Sequence, residues 1–205
     1  MISHVDIRAA VFDVDGVIVR SRFRTELARV LGMTAEETQP FFTGPFVECL
    51  LGKADLRDKL PQYLEAWKWS GTVDEFLKFW FESDSDLDSP CLKFIEKLRA
   101  NGFRCYLAST QEQHRAAYLE SQMGLGNRFD GSFFSCRVGL RKPDPAYFRL
   151  VQSRIGVEPE QILFLDDREA NVVAAEGVGW HAMQFRRGDA LDGIAAQFDL
   201  LSHGA

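Results

Sequence analysis

The chain has 205 residues, 46% of them hydrophobic, which suits one sizeable domain or a domain carrying a smaller insertion. Its 24 basic and 30 acidic side chains give a net charge of -6 with no long block of one sign, which argues against a nucleic-acid partner. No apolar run approaches the roughly 20 residues of a membrane span, and "MISHVDIRAA" lacks the basic start and apolar centre of a signal peptide, so a cytoplasmic protein with no membrane partner is expected.

The first predicted element is a strand over Ala9 to Phe12, inside "AAVFDVDGVIV". Residues 21–88 then show helical periodicity without a convincing strand, with helix starts of capping-box spacing at Thr34 with Glu37 and at Thr72 with Glu75. This segment is expected to be an inserted all-helical domain, with 1–20 and 89–205 forming the core. Its aromatics (Phe41, Phe42, Phe46, Trp67, Trp69, Phe76, Phe79, Trp80, Phe81) read as a small core of its own. Arg20, Arg22 and Arg24 at its entrance either meet an anionic substrate or form a solvated face. "SDSDLDS" (83–89), at its exit, reads as exposed and flexible.

Beyond the insertion, Ser89-Pro90 opens a helix ending at Asn101-Gly102, and Asp144-Pro145 opens another ending near Gly156. Strands are predicted at "FRCYLAS" (103–109), "SFFS" (132–135), "ILFLD" (162–166) and "HAMQF" (181–185). Strands alternating with helices imply an α/β fold, a doubly wound parallel sheet with helices on both faces. Cys49, Cys91, Cys105 and Cys136 fit neither a disulfide framework nor CxxC metal spacing, and read as plain thiols.

Two aspartates and a glycine ending the first strand need a reason, because burying an unpaired carboxylate costs several kcal/mol. A calcium loop fails, since counting from Asp13 its glycine and glutamate positions hold Ile18 and Arg24. No GxGxxG follows the strand, the nearest Walker-like stretch near Gly52-Lys53 has the wrong spacing, and neither a GxSxG nor an HExxH is present. In a parallel sheet, however, the carboxyl ends of all strands face one crevice. That geometry gathers Asp13 and Asp15, Ser109-Thr110, Lys142 and Asp166-Asp167. Carboxylates, a hydroxyl and an ammonium are the parts for a magnesium ion and a phosphoryl group, since Mg²⁺ takes hard oxygen ligands and offsets their mutual repulsion. Small size at Gly16 lets the chain turn sharply after Asp15.

In order, "FDVDGV" (12–17), "YLAST" (106–110), "RKPDP" (141–145) and "FLDDREAN" (164–171) resemble the four motifs of the haloacid dehalogenase (HAD) superfamily. The resemblance covers essentially the whole chain and implies a Rossmann-like core with an α-helical C1 cap. It is most similar to the subgroup of sugar-phosphate phosphatases and the N-terminal phosphatase domain of bifunctional epoxide hydrolases. By that resemblance Asp13 is a nucleophile that becomes an aspartyl phosphate, and Asp15 is a general acid and then base. Asp13, the Asp15 backbone carbonyl and Asp167 would hold Mg²⁺. Asp166 would be a water-mediated ligand or an anchor for Lys142. Ser109, the Thr110 amide and Lys142 would bind phosphoryl oxygens, and Asn171 would orient the acidic pair or lie on a solvated helix face. The implied substrate is a small phosphorylated metabolite, taken by a monomer or homodimer. Dehalogenases of the superfamily lack the second aspartate and its phosphomutases carry a cap histidine where this chain has Thr25, so a phosphatase is expected. A scaffold kept for binding without turnover is the remaining alternative, and its mark would be a missing catalytic residue.

Overall fold

Ala9–Phe12 (β1) is buried along its whole length because it is the middle strand of a five-stranded parallel sheet. The computed structural model describes residues 6–201, so Met1 to Val5 of the leader reading, with His4 and His203, lie outside the described residues. Beyond β1 come a two-residue ribbon, Val19–Arg20 (β2) and Asp86–Leu87 (β3), and then Arg104–Ser109 (β4), Gly131–Phe134 (β5), Ile162–Asp166 (β6) and His181–Gln184 (β7). The sheet order is β5-β4-β1-β6-β7. The chain therefore builds outward from β1 on one side, returns, and builds outward on the other. That reversal makes the carboxyl ends of β4, β1 and β6 a topological switch point, where this class of sheet opens a crevice. Register aligns those ends, with Phe12 opposite both Leu107 and Leu165.

Alternation along β1 assigns its two faces. Ala10 and Phe12 pack with Cys91, Ile95, Leu119 and Ile194 on one side, and Ala9 and Val11 pack with Tyr147, Phe148, Val151 and Trp180 on the other. The predicted helices stand where expected, at Ser89–Ala100 and Pro145–Ile155. The first is capped by Asp88, whose carboxylate accepts the Cys91 amide at 2.8 Å, one residue earlier than the sequence suggests. Asp144 caps the second, and Gly156 ends it in a left-handed conformation. The four cysteines are free thiols.

Residues 21–88 hold six helices, Phe23–Leu31, Ala35–Thr43, Pro45–Leu50, Leu56–Lys59, Pro61–Ala66 and Val73–Ser83. Thr34 with Glu37 and Thr72 with Glu75 both form complete capping boxes. Phe41, Trp67, Phe76, Trp80 and Phe81 are buried with Phe23 and Leu27 in a cluster separate from both sheet clusters, and Phe42, Phe46, Trp69 and Phe79 pack around it. Tyr118, on the core helix Gln113–Ser121, joins that cluster against Phe81.

The joints differ from the expectation of a strand-free entrance and a flexible exit. β2 and β3 pair antiparallel across them. Asp84 is buried, and its Oδ1 accepts the amides of Arg22 and Phe23, the latter at 2.8 Å. Arg115 of the core donates to the carbonyls of Phe81 and Asp84. Thus two aspartates of "SDSDLDS", Asp84 and Asp88, are buried as backbone caps and not exposed as expected. Further out, Asp55 of the insertion meets His114 of the core at 2.7 Å. Gly52, at φ +69°, lies so close to the core that an added Cβ would stand 2.1 Å from the Cys136 carbonyl oxygen.

Asp84→Ala strands two amides and is expected to lower stability by about 1–3 kcal/mol, while Asp84→Asn, which keeps an acceptor oxygen, loses less. Asp86→Ala removes only exposed pairs with Arg20, Arg22 and Arg187 and should cost about 1 kcal/mol or less. Denaturant midpoints for the three variants check the order; a larger loss at Asp86 than at Asp84 would contradict it.

Candidate active site

The turn after β1 brings two carboxylates to the switch point in different surroundings. Asp13 is buried, and its Oδ1 accepts the Val14 amide at 2.7 Å and lies 2.8 Å from Lys142 Nζ, leaving Oδ2 with no protein donor among the described residues. Asp15 is half-buried. Its Oδ2 accepts from Gln111 Nε2 at 2.7 Å, and its Oδ1 is buried without a partner. Between them and the end of β6 stands Gly16, at φ +84°, where a Cβ would fall 2.4 Å from Asp167 Oδ2. Glycine is required twice over, by the left-handed turn and by the carboxylate pressed against it.

The end of β6 is the second anchor. Asp166 is fully buried and saturated: Oδ1 accepts the Arg168 amide and Asn171 Nδ2, and Oδ2 accepts Asn171 Nδ2 and Lys142 Nζ. Asn171 is therefore a buried partner of the acidic pair, not a solvated helix position. Asp167 is half-buried, and the bonds that involve it go through its carbonyl, which accepts from Gln184. One oxygen each from Asp13, Asp166 and Asp167 lie within 4.8 Å of one another, a set of hard donors that suits a divalent cation. The Asp15 carboxylate is not in that set.

Electrostatics follow from the packing. Burial, opposed by Lys142 and reinforced by the charge of Asp166, pushes the Asp13 carboxyl from 3.8 up to about 7. Burial and then the neighbouring Asp166 raise Asp167 as well. Lys142 is a single cation between two buried carboxylates, with a third beside them.

Ser109, at the end of β4, is buried with its Oγ accepting from Gln111 Nε2 at 3.0 Å. It lines a well of about 310 Å³ together with Asp13, Asp15, Thr110, Lys142 and Asp167. Every residue expected at the site is thereby brought to one place. The well shares Asp15, Ser21, Thr110, Lys142, Arg168 and Asn171 with a larger cavity of about 530 Å³ under the helical insertion. Phe23, Phe42, Phe46 and Trp80 line that cavity, so part of the aromatic cluster serves as its wall as well as a core.

Sequence reasoning missed Gln111, which ties Asp15 to Ser109 and whose amide donates to Ser135 Oγ. Its place two residues after Ser109, before helix Gln113–Ser121, is the only signal that could have pointed to it. The three entrance arginines divide: Arg20 and Arg22 pair with Asp86 on the exterior, whereas Arg24 turns into the cavity and stacks 4.0 Å over Phe42.

Folded Asp13 keeps a proton that the unfolded chain has lost between about pH 4 and about pH 7, so its raised pKa removes stability as pH rises through that window. Asp13→Asn lacks this penalty while leaving the Lys142–Asp166 pair. Its Tm in chelator should exceed that of the unsubstituted chain by a margin that grows from pH 4 to 7 and then levels. A constant margin across the window would remove the buried-charge account.

Residues 7–179 match the family model of the haloacid dehalogenase-like hydrolases. Among curated proteins the chain is 27% identical over 196 residues to a chloroplast flavin mononucleotide hydrolase of Arabidopsis thaliana, covering 88% of this chain and 73% of the relative. It is also 27% identical over 180 residues to a phosphorylated carbohydrates phosphatase of Thermotoga maritima, covering 83% and 81%. It is 27% identical to bifunctional epoxide hydrolase 2 of Sus scrofa, of which it spans 37%. Among solved structures, a HAD family enzyme of Bacteroides thetaiotaomicron superposes with a TM-score of 0.79 at 19% identity, over 92% of this chain and 98% of that one. Its complex with magnesium and inorganic phosphate superposes with a TM-score of 0.77. The sheet order, the four motifs at its switch point and the family match together make this chain a member of the haloacid dehalogenase-like hydrolase family.

Proposed function

We propose that the chain is a phosphatase, dependent on Mg²⁺, that hydrolyses a small phosphorylated metabolite through an aspartyl phosphate on Asp13. One observation carries the reading: two carboxylates two residues apart are held in unlike environments, Asp13 against Lys142 with a free Oδ2, and Asp15 turned toward Gln111 and the larger cavity. Such a pair divides nucleophilic and proton-transfer roles between two otherwise identical side chains. The relatives named for flavin mononucleotide and for phosphorylated carbohydrates, and the neighbour holding magnesium and phosphate, support the same class.

In this reading Asp13 Oδ2 attacks phosphorus while Lys142, Ser109 Oγ and the Thr110 amide hold the phosphoryl oxygens. Asp15 gives its proton to the departing alcohol and then takes one from the water that cleaves the acyl phosphate. Asp13, Asp167 and the Asp15 carbonyl would hold Mg²⁺, whose contribution is to neutralise charge on the phosphoryl group and among the carboxylates. Asp166, already saturated by Lys142, Asn171 and the Arg168 amide, anchors Lys142 instead of ligating directly. Helices 23–83 act as the cap that excludes water and supplies substrate contacts, and the cytoplasm is the expected setting. A dehalogenase or a phosphomutase is less well supported, because Asp15 is present and positioned by Gln111, and Thr25 stands where the mutase histidine would. A scaffold without turnover has no missing residue to recommend it.

The reading requires Mg²⁺-dependent release of phosphate from p-nitrophenyl phosphate, with Asp13→Asn lowering kcat by about three orders of magnitude or more. Retention of a tenth of the activity, with deamidation excluded, would rule out the covalent route.

Asp15→Asn should lower kcat more for a sugar phosphate than for p-nitrophenyl phosphate, whose leaving group needs little protonation. Equal losses on both would take the leaving-group role from Asp15. Gln111→Ala acts one step removed: it should repeat the leaving-group dependence of Asp15→Asn with a smaller loss of kcat. An equal loss on both substrates would make Gln111 merely structural.

A further inference from the structure

The larger cavity carries an imbalance of charge that the phosphatase reading does not use. Each of its carboxylates has at least one donor, although Asp15 Oδ1 has none. Asp15 accepts from Gln111, Asp84 from the amides of Arg22 and Phe23, and Glu112 from the amides of His114 and Arg115. Arg115 is likewise occupied, by the carbonyls of Phe81 and Asp84. Three guanidinium groups on the wall make no ion pair with any of these carboxylates. Arg24 comes from the insertion, and Arg141 and Arg168 come from the core on either side of Lys142 and Asn171. None of the three makes an ion pair with a carboxylate among the described residues; Arg141 and Arg168 are exposed, and the charge of Arg168 acts on the neighbouring Asp167.

Arg24 is the one that is built in. It lies half-buried, its guanidinium 4.0 Å over the Phe42 ring, with Nη2 donating to Gln39 Oε1 at 3.0 Å and to the Ala35 carbonyl at 3.3 Å. Those contacts fix the plane of the fork and leave Nε and Nη1 free. Burial also depresses its pKa, the direction expected of a cation stripped of water without a compensating anion. Its neighbours Arg20 and Arg22, by contrast, have found Asp86 on the exterior. Arg24, half-buried on the cavity wall without an anion while Arg141 and Arg168 line the same cavity, is placed to receive an anion from outside.

We infer that Arg24, which lines the cavity together with Arg141 and Arg168, recognises a second anionic group on the leaving-group side of the substrate. The substrate class is then a phosphate monoester whose alcohol carries its own carboxylate or further phosphate. A planar guanidinium stacked on an aromatic ring is suited to a two-point contact with either oxyanion, where a lysine would offer a point charge. This rests on the phosphatase reading, and it adds the chemistry of the part that leaves.

The test compares kcat/KM of the metal-loaded enzyme for glycerol phosphate, phosphoglycerate and a sugar bisphosphate, with p-nitrophenyl phosphate as the common reference. The enzyme should prefer at least one of the two substrates with an anionic tail over glycerol phosphate by about tenfold or more, and which of the two wins identifies the anion as carboxylate or phosphate. In Arg24→Ala that ratio should fall at least tenfold, chiefly through KM, and Arg24→Lys should restore only part of it. A preference that also weakens with added salt more than the glycerol phosphate rate does is the expected companion result. If Arg24→Ala does not fold, the salt dependence and the ratio in Arg141→Ala with Arg168→Ala carry the same decision. Turnover of p-nitrophenyl phosphate without any preference for the anionic tails, or a preference untouched by these variants, overturns the assignment of Arg24 alone. Failure to hydrolyse any of the four overturns the phosphatase reading, and this inference with it.

Discussion

One buried ammonium shared by two carboxylates holds the centre of this molecule. Lys142 reaches Asp13 and Asp166, which end adjacent strands, and a third carboxylate, Asp167, stands beside them. With three carboxylates to one ammonium, the ionised arrangement is two positive charges short of neutrality, and burial raises the cost of that deficit. Everything near it acts to limit the cost: two donors from Asn171, the amides of Val14 and Arg168, and the proton that Asp13 retains up to about pH 7. A site with unmet negative charge and free carboxylate oxygens is ready for a divalent cation, and the instability of the metal-free centre is the counterpart of that readiness.

The fold makes this cluster by topology alone. Because β1 is central and both neighbours run parallel to it, residues that follow Phe12, Leu107 and Leu165 by one or two positions must meet. Gly16 then decides how closely, since any side chain there would displace Asp167. Above the sheet, the insertion keeps a separate aromatic core, and the same rings that stabilise it form the roof of the larger cavity. Chemistry thus rests on the two clusters that flank the sheet, and recognition on the separate cluster of the insertion.

Much of this was legible from the sequence because it depends on local patterns. Strand alternation, capping boxes at Thr34 and Thr72, and carboxylates at strand ends are statements about residues a few positions apart. What escaped were partnerships between distant segments. Gln111 gains its role only when Asp15 is folded against it, nearly a hundred residues away in sequence. Asp84 looked like linker material because its carboxylate is satisfied by amides at the far end of the insertion. The run Arg20, Arg22, Arg24 could not be sorted by spacing, because the helix starting at Phe23 turns Arg24 inward while the ribbon keeps Arg20 and Arg22 beside Asp86. The roles of the individual site residues were legible only through family resemblance, since spacing names no nucleophile.

The ribbon at the joints has a property of its own. It has only two residue pairs, yet Asp86 there faces Arg20, Arg22 and Arg187, and Arg187, from the segment after β7, also reaches Asp88. Backbone pairing this short does little to stiffen a hinge, so these partly exposed charges supplement the buried bonds of Asp84 and Arg115. Such charges are screened over a length of about 8 Å at physiological ionic strength and only about 3 Å in molar salt. The ionic atmosphere of the solvent thereby acts on the joint between the sheet and the insertion more than on the buried Lys142 pairs, which are screened less.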